Sequence, residues 1–354
     1  MSSTLPTKMA LLVGIALSIS ATLGVAHIEQ LRQQDRFDRK ADSLRFVLQR
    51  NFDTAFQVTN AVGGFFAFAE TITDEKFALF SEQVLQNSPG VLSVGLAEHI
   101  PHNDRSDFEA SLAQRGAIYP FIWEENHNRV PVLEDYIVTT YLEPLEQRQG
   151  ILGYNHTSYW QRKLAIDRSQ QSKVMSTTTQ VRLPESGDSA MEGFVVYQPV
   201  YRNNPTDEAN FIGFVYSTFH VEDAIAAAIE ELDWQDVDFY LYDLDIDRLD
   251  SALLKGLDSL DERFSIAYDS HSQAIAANPN ATELARINRK VLGRGCPYGQ
   301  GWTACIRTIN LKGREWSGVI LPPPTSFGES VWTTLIIGLL LTSVAPISLG
   351  WRLL

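Results

Sequence analysis

Few stretches of this chain set chemistry-bearing side chains at useful spacings. His99-x-x-His102, with Glu98 beside it, offers two imidazoles and a carboxylate, donors that a zinc ion accepts. Pro101 keeps the two histidines off one helical face and no third ligand follows at a matching spacing, so a polar turn is the simpler reading. Asp243-x-Asp245-x-Asp247 mimics the opening of a calcium loop. Arg248 stands where such a loop needs glycine, and Leu254 where it closes with a glutamate, so the segment reads as a solvated loop. Cys296 and Cys305 flank Pro297-Tyr298-Gly299-Gln300-Gly301, a turn-rich loop that a disulfide would close in an oxidising compartment; two unlinked thiols are the alternative. Asn155-His156-Thr157 and Asn280-Ala281-Thr282 match the glycosylation sequon, which matters only on a eukaryotic secretory route. Asp167 and Arg168 read as a local surface pair. No nucleophile elbow, zincin helix or phosphate-binding glycine loop occurs. No catalytic set, metal or cofactor is therefore expected, and the chain is not expected to be an enzyme.

A looser group is more promising for binding. Trp123, Tyr136, Tyr154, Trp160, Leu183, Tyr197 and Phe214 are large, mostly apolar and tipped with a few polar atoms, the mixture that lines a small-molecule pocket. Taken one at a time, each reads more readily as ordinary core, so the expectation rests on the group.

The elements that must position this group centre on Phe194–Glu222. Phe194–Tyr201 and Phe211–Phe219 are dense in β-branched and aromatic residues, and Asn203, Asn204, Pro205 and Asp207 between them favour turns. The reading is an antiparallel hairpin in the middle of a sheet, covered on both faces, with the first strand ending or bulging at Pro199. Upstream, helices are expected over Asp74–Gln86, with Thr73 as N-cap, over Asn103–Gly116 and over Tyr159–Gln170. Strands are expected at Val91–Ala97, Tyr119–Trp123, Asp135–Leu142 and Val174–Leu183. Downstream, Val221–Leu232 reads as a helix. Val237–Asp243, Phe264–Tyr268, Trp302–Ile309 and Trp316–Leu321 read as strands of a second, smaller sheet.

Two apolar segments bracket this polar middle. Val331–Trp351 carries no charge and matches the ~20 residues that cross a bilayer as a helix. Met9–Ala26 is also uncharged and reads as an uncleaved anchor, with a cleaved signal peptide as the alternative. From residue 27 the helical pattern continues as a stalk. Leu44, Asn51, Val58 and Phe65 form one heptad position; Leu48, Ala55, Val62 and Ala69 form the other. That seam predicts either a parallel dimer contact or a stripe packed on the chain's own domain. The expected organisation is a tail at 1–8, a span at 9–26, a stalk at 27–73, a membrane-distal domain at 74–222, a membrane-proximal domain at 223–325 and a second span at 331–351. The fold class is α+β. A net charge of −14 makes nucleic acid a poor partner.

Several stretches, in order, resemble the CHASE domain, the extracytoplasmic ligand-sensing module of membrane receptors that include plant cytokinin receptors, bacterial sensor histidine kinases and diguanylate cyclases. They are His99–Glu109, Glu134-Asp135-Tyr136, Gly193–Tyr201 with its Pro-Val-Tyr, Gly213–Val221, Phe239–Asp243, and Gly313–Trp316 followed by Pro322-Pro323-Pro324. The resemblance covers about residues 75 to 325. It implies a stalk helix followed by two PAS-like antiparallel-sheet domains, with ligand held in the distal one. It also places the acidic residue with which plant receptors hold adenine near Gln161, their pocket threonine at Tyr197 and an aliphatic pocket residue near Leu183. Gln161 carries no charge and Tyr197 is bulky, so the implied ligand is a small molecule other than a cytokinin.

The functional expectation is a receptor input module in the cell membrane, its sensor domain extracytoplasmic. It would be a homodimer through the stalk and pass a ligand-induced helix shift to an output domain or to a cytoplasmic or membrane partner. A non-enzymatic dimerising scaffold with an empty pocket is the alternative, and an extracytoplasmic hydrolase a weaker one.

Overall fold

The computed structural model describes residues 4–69, 71–86, 88–144, 149–183, 192–202, 208–232, 238–242, 265–269, 274–277, 305–321 and 328–351. Helix α1, Thr4–Phe68, runs unbroken for 65 residues, so the first apolar segment and the stalk are one element. It ends short of the expected residue 73. Thr73 caps α2, Asp74–Leu85, its hydroxyl accepting from Lys76 N at 3.3 Å.

The first sheet carries the expected hairpin at its centre. Its strands are β1 (Val91–Pro101), β2 (Asp135–Glu143), the short β3 (Ser176–Thr177) and β4 (Val181–Arg182), β5 (Glu192–Tyr201) and β6 (Phe211–His220). The order is β2-β1-β6-β5-β3, with β4 also on β5, and every pairing is antiparallel. Helices α3 (Arg105–Gln114) and α4 (Trp160–Ser172) fall inside the sheet's connections, and α5 (Val221–Leu232) leaves it. The second sheet contains β7 (Asp238–Tyr242), β8 (Ser265–Asp269), β9 (Ala274–Ala277), β10 (Cys305–Asn310) and β11 (Glu315–Leu321), ordered β10-β11-β7-β8-β9. The last described element is α6, Glu329–Trp351.

Four expectations need correction. Tyr119–Trp123 is not a strand; only Trp123 makes bridges, to Arg129 and Tyr154, because Pro120 lacks an N–H and the segment wraps over the sheet. Val174–Leu183 is broken into β3 and β4. Pro199 neither ends β5 nor bulges it; the register slips one residue later, at Val200/Tyr201. Among the described residues β3 and β4 pair with β5 only between Glu192 and Tyr197, so Pro199's outer side has no ladder to break. β9 escaped notice because Ala-Ile-Ala-Ala carries little strand signal.

Gly213 shows why the hairpin needs its glycine. Its φ is +146°, and a Cβ there would lie 2.2 Å from the Ala97 carbonyl oxygen.

Strand alternation splits the first sheet's side chains into two sets. Val94, Leu96, Val200, Val215 and, further along, Phe194, Val196 and Phe219 face α1. Ala97, Val195, Tyr197, Phe214 and Tyr216 face the other way. On the α1 side, Phe52 meets Phe194, Phe219 and Trp316 at ring distances of 5.9, 5.1 and 6.0 Å. Stalk and both sheets thus share one aromatic hub. The stalk also guards the edge of the second sheet: Gln49 exchanges two hydrogen bonds with Asn310, and Arg45 donates to the Thr308 carbonyl.

The heptad seam is occupied by this packing. Leu44, Leu48, Asn51, Ala55, Val58 and Val62 are buried against the chain's own sheets and α5. Asn51 donates to the Ala224 carbonyl instead of setting the register of a partner helix. The seam is therefore the packed stripe and not an open coiled-coil face.

The two apolar segments lie antiparallel against each other. Gly14 meets Thr342, Ser18 meets Gly338, and Ser18 Oγ lies 3.2 Å from Thr342 Oγ1. A Cβ on Gly14 would come within 2.6 Å of Thr342, so small residues set the approach of the helices. By length and composition α1 holds a stretch fit to cross a membrane.

Candidate ligand-binding site

The face of the first sheet turned away from α1 is covered by three layers of chain. α4 lies across β5. The segment 149–158 runs along β2, with Asn155 bridging Val138. The loop 117–134 packs on that segment. Trp123 knits this loop down: its N donates to the Gly153 carbonyl, its carbonyl accepts from Asn155 N, and Nε1 donates to the Leu152 carbonyl at 2.9 Å. The far end of the loop hangs on Arg105. That buried guanidinium donates to Glu109, to the Val130 and Pro131 carbonyls and to Tyr136 Oη. Glu109 also pairs with Arg129 and accepts from Ile122 N, and its carboxyl titrates below its usual range: burial works against this, but Arg105 and the other donors prevail.

At the tip of the loop Asn126 and His127 both adopt left-handed conformations, φ +62° and +60°. Two such non-glycine residues in a row are costly, and local strain of this kind collects at binding sites. The strain serves to stack His127 on Tyr119 and Trp123, at 4.6 and 5.1 Å.

Beneath the loop lies a polar cluster in a mostly apolar setting. His156, 1% exposed, sets Nδ1 2.7 Å from Tyr197 Oη and Nε2 2.8 Å from Thr139 Oγ1. Thr139 continues to Tyr216 Oη at 3.2 Å. Arg162, also 1% exposed, donates to the same Tyr197 oxygen and lies over the Tyr154 ring at 5.4 Å. Burial, helped by the charge of Arg162, pushes the His156 pKa well below the ordinary histidine value, so the ring is neutral. Its two nitrogens then divide the roles of donor and acceptor between two hydroxyls. The arrangement is built to bind and orient. No nucleophile–base pair stands out within it.

The structure brings five of the eight expected pocket residues into one buried cluster: Trp123, Tyr154, Leu183, Tyr197 and Phe214. Gln161 is the second residue of α4 and is half-buried. Tyr136 belongs to a neighbouring cluster with Ile122 and Val130, where it anchors Arg105. Trp160 does not join: as the first residue of α4 it points to solvent and is 66% exposed. The sequence reading passed over Asn155, His156, Arg162, Thr139 and Tyr216. The sequon drew attention to Asn155 for the wrong reason, since its side chain is fully buried and out of reach of glycosylation in the folded chain. Cys296, Asn280 and the Asp243–Leu254 loop lie outside the described residues, as does the side chain of Cys305. Among the described residues no group of three or more metal-ligating side chains gathers. His99 pairs instead with Asp135 at 3.0 Å, and His102 with Tyr136. Asp167 pairs with Lys163, one turn back on α4, and not with Arg168.

The fold and this cluster define a class: an α+β protein in which a long helix supports antiparallel sheets and one sheet carries a closed, partly polar site on its far face. The family model for the CHASE domain matches residues 70–253, more than half of the chain, and the chain belongs to that family. It thus carries a sensor domain of signal-transduction receptors. Over 253 residues it is 24% identical to hybrid signal transduction histidine kinase A of Dictyostelium discoideum; the match covers 66% of this chain and 12% of that protein's length. Among solved structures it is similar to an extracellular ligand binding receptor from Desulfohalobium retbaense, at 11% identity and a TM-score of 0.46, over 80% of this chain and 40% of that one. It is also similar to methyl-accepting chemotaxis protein X, at 11% identity and a TM-score of 0.40, over 84% of this chain and the whole of the other.

Proposed function

We propose that this chain is the input module of a membrane receptor, anchored through α1 and α6 with its two sheets outside the cytoplasm. A small molecule is sensed on the far face of the first sheet, the membrane-distal domain of residues 74–222. The observation that carries this reading is the division of one sheet between two roles. One face holds buried polar groups under a strained loop; the other is clamped to the stalk by close apolar packing. A ligand that favours one arrangement of β5 and β6 therefore biases the pose of α1 against the second sheet and α6. The second sheet, residues 223–325, forms the membrane-proximal domain and passes the stalk's movement to α6. The signal goes to an output domain or a partner on the other side of the membrane. A homodimer through the stalk would use the helix face opposite the buried seam, where Phe46 lies exposed. Uncharged Gln161 and bulky Tyr197 favour a ligand other than a cytokinin.

Thermal melting of the full chain in detergent, screened against amino acids, nucleobases, organic acids and short amides, tests the reading. A ligand at a hundred times its Kd adds about 2.7 kcal/mol of stability. A specific stabiliser whose effect is lost in Tyr197→Phe supports a distal sensing site. Absence of any shift, in a protein that melts cooperatively, would favour the scaffold with an empty pocket.

A further inference from the structure

Helix α5 leaves the first sheet, and its fastenings go to two different parts of the fold. Its buried face, Val221, Ala224, Ile225 and Ala228, lies in the core shared with Phe52 of the stalk and with Phe239 and Trp316 of the second sheet. Asn51 donates to the Ala224 carbonyl at 3.2 Å, and Arg50 pairs with Glu231 in the last turn, so the length of α5 is tied to the stalk. Its start is tied to the first sheet by His220, the last residue of β6. The backbone of His220 is fixed there: its N donates to the Gly90 carbonyl at 2.7 Å, and it pairs with Gly193 of β5. The imidazole is 10% exposed and reaches the helix, with Nδ1 3.0 Å from Asp223 Oδ2 and Nε2 3.8 Å from Glu222 Oε2. Gly90, before β1, and Gly193, on β5, set no side chain against it. Asp223 and Glu222, both in the first turn of α5, are the charged groups that act on it. Burial by itself would hold the imidazole below its ordinary value, but the two carboxylates prevail and raise it.

We infer that His220 is a proton-operated catch between the first sheet and α5, closed when the imidazole is charged and loosened when it is neutral. A charged imidazole draws Asp223 and Glu222 onto the end of β6, so the first turn of α5 moves with the first sheet. A neutral imidazole loses that attraction, and α5 then follows the stalk, to which Asn51 and Arg50 still hold it. Histidine is the side chain that changes charge near neutrality, and carboxylates at a helix N-terminus are favoured by the helix dipole whichever state the histidine is in. The catch is fully present below about 6.5, the unfolded histidine value, and is lost as pH rises through the raised folded value. In the receptor proposed above, on which this consequence rests, acid surroundings couple α5 to the sensing sheet and alkaline surroundings release it.

The test is hydrogen exchange of the full chain in detergent, without ligand, at about pH 6 and about pH 8, with rates corrected for the intrinsic pH dependence of amide exchange. Protection of α5 is read relative to β10 and β11, so that changes in the stability of the whole fold, those from His156 included, divide out. In the wild type, α5 is expected to be protected roughly three- to fivefold more at the lower pH, the scale of a partly exposed ion pair. His220→Gln cannot be charged. Asp223→Asn, at a half-exposed position, removes the nearest carboxylate and leaves β6 and the imidazole in place, so it serves even where His220→Gln fails to fold. Each variant is expected to show the same relative protection at both pH values. A pH-dependent ratio that persists in either variant, or that is absent from the wild type, overturns the catch. The metabolite screen uses neither variant, so failure of the catch leaves the sensing face as it stands, and failure of the screen leaves the catch.

Discussion

The two faces of the first sheet are built from the same strands to opposite specifications. On the stalk side, Phe194, Val196, Val215 and Phe219 meet Phe52, Ala55, Val58 and Val62 in apolar packing. Thr59 and Ser217, the polar pair within this packing, meet at 2.7 Å. On the far side, Tyr197 and Tyr216 end in hydroxyls that feed a buried histidine and lie near a buried arginine. Apolar packing is close and unforgiving, so it transmits displacement. A polar network in a dry setting is costly unless every member is matched, so it discriminates between occupants. The difference assigns recognition to one face and transmission to the other.

The largest effect that sharpens this comparison lies on the stalk side. Phe52→Ala empties the hub shared by stalk and both sheets and is expected to cost about 3–5 kcal/mol. Denaturant unfolding should show both sheets losing stability together. Changes on the far face are expected to be smaller. Tyr197→Phe removes one oxygen and leaves His156 and Arg162 each short of a partner, costing about 1–3 kcal/mol by the same measurement. A Tyr197→Phe loss as large as that of Phe52→Ala would break the distinction, since the far face would then be a second core.

Acidity separates the faces in a different way. His156 has a folded pKa well below its unfolded value of about 6.5, burial being the main cause and Arg162 the second. The unfolded chain then binds a proton that the folded chain refuses, so stability falls as pH drops below about 6.5. His220, where β6 enters α5, runs the other way. Burial alone would lower it, but Asp223, 3.0 Å from Nδ1, and Glu222 outweigh that and raise it. Its contribution is full below about 6.5 and is lost as pH climbs through the raised value. Stability plotted against pH should flatten below about 6.5 in His156→Gln, and should lose its fall above about 6.5 in His220→Gln.

The smallest effects are expected at the margin. Gln198 leaves the sheet toward the stalk and donates to Asn60 at 3.2 Å in an exposed pair. Gln198→Ala should cost about 0.5 kcal/mol or less.

Much of the fold was legible because its signals are local. The dense β-branched runs Phe194–Tyr201 and Phe211–Phe219 could hardly be anything but central strands, and Thr73 with its acidic followers marks a helix start. The heptad Leu44–Val62 was a true apolar stripe, yet periodicity does not say whose surface covers it. Here α5 and the two sheets do. Tyr119–Trp123 shows the same limit. Its aromatic content promised a strand, but it earns its burial by lying across other segments. The candidate site was half legible. Large apolar residues such as Trp123, Tyr154 and Phe214 announce themselves by type. His156, Arg162 and Asn155 do not: in the sequence they are single polar residues in a turn and at a helix start. Only the fold drives them inward.

The account stands on the claim that a disturbance on the far face reaches the stalk through β5 and β6. Hydrogen exchange of the full chain in detergent, comparing the wild type with Tyr197→Phe, measures this without any ligand. Trp160→Ala, at an exposed position on the same face, serves as the control. The account expects Tyr197→Phe to lower amide protection along residues 52–66 of α1, on the opposite side of the sheet, and Trp160→Ala to leave it unchanged. Loss of protection confined to residues 117–134 and 155–172, with α1 untouched, would contradict it.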